Sequence, residues 1–249
     1  ALVYIDDILL YNNTFESHLD TIEQLLGRLS DANLKLKPSK AHLANQVLNF
    51  LGFVISGEGI LPNPAKCQVI VDWPTPTSAK ETKSFLGLCS YYRRVVRHFA
   101  TTAKCLHELA SLDRKYKKGE WMPKHQTAFN DLKSALISPE VMANPDLNKP
   151  FILFSDASNF GIGATLSQIN EEGNEVVIEY FSRGLTPTQQ RYSTTERELL
   201  ALKSSAEYFA PYLKSGRPTL VVDHAALLYL ANMPLLKDKQ WRQFEVIRS

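Results

Sequence analysis

Three apolar runs, Phe151–Ser155, Gly161–Gln168 and Glu175–Phe181, follow one another directly, with a turn rich in Asn, Glu and Gly at Asn170–Asn174. Strands in such close succession pair as an antiparallel meander, and no other feature narrows the choice of fold as much. A helical period then covers Thr194–Phe209, followed by a strand at Thr219–Asp223 and a short helix at His224–Ala231. The order β-β-β-α-β-α describes one mixed sheet with helices layered on it.

The period differs before residue 150. Val3-Tyr4-Ile5 and Ile8-Leu9-Leu10 flank Asp6-Asp7, and Leu19, Ile22, Leu25, Leu26 and Leu29 recur at helical spacing up to about Asn33. Strands are expected at Leu34–Lys37, closed by Pro38, and at Val47–Ser56, closed by Gly57-Glu58-Gly59. From residue 61 the pattern is helical. Asn63-Pro64 reads as an N-cap followed by proline at the first helical position, and Ser78 with Glu81 as a capping box. The helix it opens carries Phe85, Leu88, Cys89 and Tyr92 on one side, with Pro74 and Pro76 before it. Another helix covers His125–Leu136, and Pro139, Pro145 and Pro150 mark a linker. The chain is therefore α+β, with segments at 1–60, 61–118, 119–150 and 151–249.

Of the 249 residues 44% are hydrophobic and 22% charged, enough apolar material for a core in roughly two domains. No apolar run approaches the ~20 residues of a bilayer span, and no basic-then-apolar leader opens the chain, so membrane and secretory readings drop out. Cys67, Cys89 and Cys105 form neither a CxxC pair nor an even set, which excludes a disulfide scaffold and a zinc site and favours a reducing compartment. Ala1 opens on a strand already under way, so the chain is expected to begin inside a domain. Residues 1–79 carry 5 Lys/Arg against 8 Asp/Glu, and residues 80–118 carry 10 against 3. That basic middle, with Arg93, Arg94, Arg97 and Lys104 beside Tyr91 and Tyr92, reads equally as a solvated helix face or as a track for a polyanion.

Two sets of carboxylates carry chemistry. Asp6 and Asp7 place like charges side by side between apolar strands. A tight hairpin that offers both to a hard divalent cation such as magnesium is one solution, a plain Asp-Asp turn the other. Asp156 and Asp223 end strands, and Glu198 lies in a helix, so the three are able to converge without being neighbours in sequence. Such a cluster holds two divalent cations about 4 Å apart for phosphodiester hydrolysis. Glu196 lies two helix positions before Glu198, about 200° around, and reads as a first-turn residue.

Tyr4-Ile5-Asp6-Asp7-Ile8-Leu9 resembles the Tyr-x-Asp-Asp signature of reverse transcriptases, and Leu10-Tyr11 with the helix at His18–Leu29 resembles the retrotransposon form. Phe50-Leu51-Gly52-Phe53 looks like the primer grip. Trp73-Pro74-x-Pro76, Phe85-Leu86-Gly87-Leu88, Tyr91-Tyr92-Arg93 and Phe99-Ala100 are similar to the thumb. Trp121, Gln126, Ala128-Phe129, Leu132-Lys133 and Leu136 are similar to the connection segment. Asp156-Ala157-Ser158-x-x-Gly161-Ile162-Gly163-Ala164, Glu198 before Leu199-Leu200-Ala201, and Asp223-His224 resemble the ribonuclease H domain. The whole chain thus resembles part of a gypsy-class long-terminal-repeat retrotransposon Pol polyprotein.

The resemblance implies a palm remnant at 1–60 with a helical thumb at 61–118 and a connection at 119–150. An incomplete ribonuclease H-like mixed-sheet domain at 151–249 follows. It implies RNA-directed DNA polymerase and hybrid-nuclease activity with catalytic and metal-binding Asp6, Asp7, Asp156, Glu198 and Asp223. Nucleic-acid contacts fall to Phe50, Leu51, Gly52, Tyr92, Arg93, Arg94 and Arg97. The cofactor is Mg2+, with Mn2+ able to replace it. The partners are an RNA template, a DNA primer, their RNA–DNA hybrid and the remainder of the Pol polyprotein, with no membrane. The setting is intracellular, a cytoplasmic particle for an active element. The alternative is a non-catalytic relic that binds nucleic acid or a partner.

Against the family pattern, the third polymerase aspartate and the fingers are expected before Ala1. A fifth ribonuclease H strand, a last helix and a fourth carboxylate are expected after Ser249, which leaves a sheet edge bare. Primer extension is then expected to be absent and hybrid cleavage weak. The His residues show no ligand spacing, and His224 is either an aid to product release or a plain helix residue. Changing Arg93, Arg94 and Arg97 together to Ala is expected to flatten the salt dependence of nucleic-acid binding; an unchanged slope assigns them to a solvated face.

Overall fold

The computed structural model describes residues 1–117, 119–137, 139–214, 218–222 and 245–248. They fall into two compact units, Ala1–Gly57 and Glu58–Ser249. No helix of the described residues is long and apolar enough to cross a membrane.

In the first unit β1 (Leu2–Tyr4) and β2 (Asp7–Leu9) form a hairpin in which Tyr4 pairs with Asp7. Helix α1 (Phe15–Asp31) follows, capped by the Thr14 side chain, which accepts from the Ser17 N–H. The expected strand at Leu34–Lys37 does not form. Asn33 ends the helix at φ +54, and Pro38 opens a 3-10 turn at Pro38–Lys40, so these four exposed residues lie between two local constraints. Val47–Ser56 is two strands, β3 (Val47–Phe50) and β4 (Phe53–Ser56), folded back at Leu51 and Gly52. Both turn residues have positive φ, +47 and +74, as a two-residue primed turn requires.

The second unit starts with β5 (Gly59–Pro62), which bridges Ile60 to Met142. Gly59 sits at φ +143, and a Cβ there would lie 2.4 Å from the Met142 carbonyl oxygen, so only glycine allows this approach. Four helices come next: α2 (Pro64–Val71), α3 (Ala79–Tyr91), α4 (Phe99–Ala110) and α5 (Pro123–Ile137). The Asn63 and Ser78 caps form as expected, but Glu81 bonds Thr77 rather than the cap residue's own N–H. The helices close on Phe85 and Phe129, whose rings stand 4.5 Å apart. Cys67 and Cys89 are buried in the same core, and burial pushes the Cys89 thiol up to about 12. The stretch that the prolines mark as a linker is packed: buried Gln168 donates to the carbonyls of Asp146 and Lys149 and accepts from the Asp146 N–H.

Then come β6 (Ile152–Ala157), β7 (Gly161–Ile169), β8 (Glu175–Gly184), α6 (Thr194–Tyr208), α7 (Ala210–Leu213), β9 (Thr219–Val222) and β10 (Glu245–Arg248). The sheet order is β10-β9-β6-β7-β8, with β6, β7 and β8 an antiparallel meander and β10, β9 and β6 parallel. This corrects the expectation of a missing fifth strand. Glu245–Arg248 pairs residue for residue with Thr219–Val222 and covers that edge. Four residues with two adjacent apolar positions are too few for a period to reveal. Leu153, Leu166, Leu220 and Phe209 are buried between the sheet and α6–α7.

The helical segment is fastened to the other side of the meander. Helix α4 lies against β7 and β8, and the 3-10 turn at Arg93–Val95 lies against β8. Strand β8 carries one extra residue, Ile178, because Leu166 faces Glu179 while Ser167 faces Val177. Beside that bulge the buried Glu179 carboxylate accepts a two-pronged contact from Arg94, at 3.1 Å and 2.7 Å, and bonds from the Tyr208 and Tyr212 hydroxyls. Arg93 donates to the Ser182 carbonyl, and the Ala100 N–H donates to the Ser182 hydroxyl.

Glu179 keeps 4% of its side chain exposed against 48% for Arg94, so losing the arginine strands a charge that water hardly reaches. Arg94→Ala is expected to lower the unfolding free energy by about 2 kcal/mol, less than for a fully buried pair because Arg94 is half in solvent. Urea denaturation checks this, with Arg97→Ala at an exposed position near zero as its comparison.

Candidate functional site

Asp6 and Asp7 sit at the tip of the β1–β2 hairpin, and both are exposed. Ile5, beside them, takes φ +55. A β-branched residue in the left-handed region is a true outlier, and strain of this sort is held where a side chain must be aimed. Phe50, Leu51 and Gly52 form the β3–β4 turn, where Phe50 pairs with Phe53.

Asp156 is exposed near the C-terminal end of β6, paired with Gly163 of β7. Glu198 lies on the buried face of α6 with 5% exposure, among Ala201, Leu202 and Ser205. Ala201 and Leu200 pack with Ala157 and Ile162, and Arg197 donates to Asn159. The N-terminal half of α6 therefore lies at the strand end that carries Asp156. The β6–β7 loop beside Asp156 is bonded within itself. The Ser158 hydroxyl accepts from the N–H groups of Phe160 and Gly161, and the Lys104 ammonium sits 3.2 Å from the Phe160 ring centroid. Asp223 and His224, with the expected helix after them, lie outside the described residues. Among the described residues no three His, Cys, Asp or Glu side chains form a metal cluster.

Glu196 is a capping residue. Its carboxylate accepts from the Ser193 N–H and hydroxyl while the Ser193 side chain accepts from the Glu196 N–H. Those bonds hold its carboxyl below the ordinary 4.5.

The expected nucleic-acid contacts divide. Tyr92 is 2% exposed, and burial pushes its hydroxyl up to about 12, so it belongs to the core and has no face for a base. Tyr91, edge-on to it, is exposed. Arg93 and Arg94 are tied to Ser182 and Glu179. Arg97 alone of the three reaches the cleft beside Asp156, a space of about 260 Å3 that His98 also lines. Neither His98 nor Glu179 carried a motif, since their partners lie 65 and 85 positions away in the chain.

A family model for "Reverse transcriptase (RNA-dependent DNA polymerase)" matches residues 1–55, and one for "RNase H-like domain found in reverse transcriptase" matches residues 121–221. The chain is 38% identical, over 96% of its length, to a retrovirus-related Pol polyprotein from transposon opus of Drosophila melanogaster. It is 37% identical, over 97%, to that from transposon 297 of the same organism. It spans 25% and 22% of those proteins. A Tf2-3 polyprotein of Schizosaccharomyces pombe is 30% identical over 92% of this chain and 17% of its own length. Among solved structures, a foamy viral protease-reverse transcriptase dRH in complex with double-stranded DNA superposes with a TM-score of 0.81 at 22% identity, over 100% of this chain and 45% of that one. A foamy viral protease-reverse transcriptase in complex with RNA/DNA hybrid gives 0.80 at 22%, over 100% and 35%. At this identity the likeness is one of fold.

The Glu196 cap bears on acid stability. A carboxyl held low in the folded state adds stability that is complete above its ordinary value and is lost as pH falls through the lowered one. Glu196→Gln is therefore expected to flatten the decline in melting temperature below about pH 4.5. Thermal melts across pH read this.

Proposed function

The chain belongs to the reverse transcriptase and ribonuclease H region of retrovirus-related Pol polyproteins of long-terminal-repeat transposons, and we propose that it serves RNA-directed DNA synthesis and cuts the RNA strand of the resulting hybrid. What supports the nuclease half is that Asp156 lies near the end of β6 and that α6, the helix carrying Glu198, packs through Leu200 and Ala201 on Ala157 and Ile162 beside that strand end. Asp223 is assigned as the third carboxylate on its motif alone.

These donors are hard oxygens, which suit magnesium and, with less selectivity, manganese. The kind of donor fits such an ion. When bound, paired divalent ions supply an activated water and charge stabilisation at the leaving oxygen. Asp156, exposed in its cleft, presents a carboxylate to substrate and ion. Glu198 would offer one from the first half of α6, the helix that packs on Ala157 at the end of β6. At the other site the strained Ile5 turn aims Asp6 and Asp7 outward, and the Leu51-Gly52 turn is the candidate grip on the primer.

The proposed macromolecular partners are an RNA template, a DNA primer and their hybrid, with the remainder of the Pol polyprotein against the first unit. Leu2, Val3, Tyr11, Phe15, Leu19 and Leu26 are all exposed there, more apolar surface than a finished unit leaves in water.

Hybrid cleavage with magnesium tests the nuclease half. Asp156→Asn and Glu198→Gln are each expected to lower the rate at least about 100-fold, the order that loss of a group fixing a metal and its water carries, whereas Glu196→Gln leaves it near the parent value. Cleavage undiminished by Asp156→Asn refutes the assignment.

A further inference from the structure

Strand alternation puts Phe154 and Asp156 of β6 on one face with their partners Thr165 and Gly163 of β7. It is also the face on which α4 arrives, and Arg97 and His98, just before that helix, line the Asp156 cleft. The His98 Nδ1 lies 3.6 Å from the place a Cβ on Gly163 would occupy, so the imidazole stands over the strand position directly opposite Asp156. His98 holds φ +54 without capping α4 through its side chain. Its carbonyl accepts from the Thr101 and Thr102 N–H groups, which leaves the ring to line the cleft.

Arg97 is exposed and forms no ion pair with Asp156. The acids on its other side are engaged: Glu140 accepts from the Tyr180 hydroxyl and Glu175 from the Ser167 hydroxyl. Because Arg93 and Arg94 are bonded to β8, Arg97 and His98, just beyond the turn and Val96, follow an anchored segment. A cationic group and a ring nitrogen, held rigidly on the wall of a cleft that ends in a carboxylate, match a phosphodiester.

We propose that Arg97 and His98 are positioning residues that hold a backbone phosphate of an RNA–DNA hybrid beside Asp156, so that the helical segment forms one wall of the nuclease site. This rests on the nuclease reading above. Neither residue touches the reacting bond; both set where the strand lies.

The test uses the full 249-residue chain and a fluorescently labelled RNA–DNA hybrid. Anisotropy in EDTA across a salt series is followed by cleavage kinetics in magnesium. Arg97→Ala is expected to weaken metal-free binding about tenfold and to reduce the salt slope by about one. His98→Gly, which keeps the left-handed backbone without strain, is expected to weaken binding several-fold, and in both variants the cleavage defect falls on KM rather than kcat. Lys80→Ala, an exposed charge lost from the same basic segment, is expected to bind like the parent. Unchanged affinity and slope in Arg97→Ala and His98→Gly overturn the proposal, as does equal weakening by Lys80→Ala, which assigns the effect to general charge. Asp156→Asn is expected to bind hybrid and not cut it; if it cuts normally, the nuclease reading fails whatever the arginine does.

Discussion

The Glu179 carboxylate, withdrawn from water beside a bulge in the edge strand, is the point on which three parts of the second unit meet. Arg94 reaches it from the helical segment, Tyr208 and Tyr212 from the end of α6 and from α7. A buried charge is tolerable only when its lone pairs are filled, and here they are filled by groups from opposite faces of the sheet. Strand alternation puts Glu179 on the face of Phe181 and Leu166, and the bulge at Ile178 changes the face only of the residues before it. The position of α4 follows from the same arrangement, and with it the composition of the Asp156 cleft.

A division of labour results within one basic stretch. Residues 80–118 carry a net charge of +7 (10 Lys/Arg less 3 Asp/Glu), yet the charges differ in use. Arg94 neutralises a buried acid, Arg93 lies with its guanidinium carbon 5.5 Å from the Phe99 ring centroid, and Lys83 pairs with Asp113 in solvent. Net charge measures a long-range field; it does not say which cations remain available at short range.

Local signals were legible in the sequence, and non-local ones were not. The Asn63 and Ser78 caps, the meander and the helix over Glu198 depend on neighbours within a few residues and stand where the sequence puts them. Glu196 is separable from Glu198 by its place two helix positions earlier and by the Leu199-Leu200-Ala201 that follows Glu198. Leu34–Lys37 failed because alternation marks a strand only when a partner exists to pair with it. Tyr92 and Tyr91 are indistinguishable as letters, and only the packing of α3 buries one and leaves the other exposed. The fifth strand escaped notice because parallel pairing with β9 is a property of the sheet, not of Glu245–Arg248. The reverse transcriptase and ribonuclease H resemblance rests on ordered motifs, which is why it names candidate acids without revealing what surrounds them.

The clasp that Gln168 makes on Asp146 and Lys149 bears on how such polyproteins exchange parts. Its amide supplies to the chain at 146–149 what a neighbouring strand would, two donor contacts and one acceptor contact, from inside the sheet. Residue 150, where composition suggests a seam, is thus a poor crossover point. Its partners are main-chain atoms, so a recombinant joined there keeps the clasp only if the incoming segment follows the same path past Gln168, and each orphaned polar contact costs about 1–3 kcal/mol. Inheritance of the downstream sheet without the twelve or so residues before it selects against the hybrid, so the two are expected to descend together across related elements.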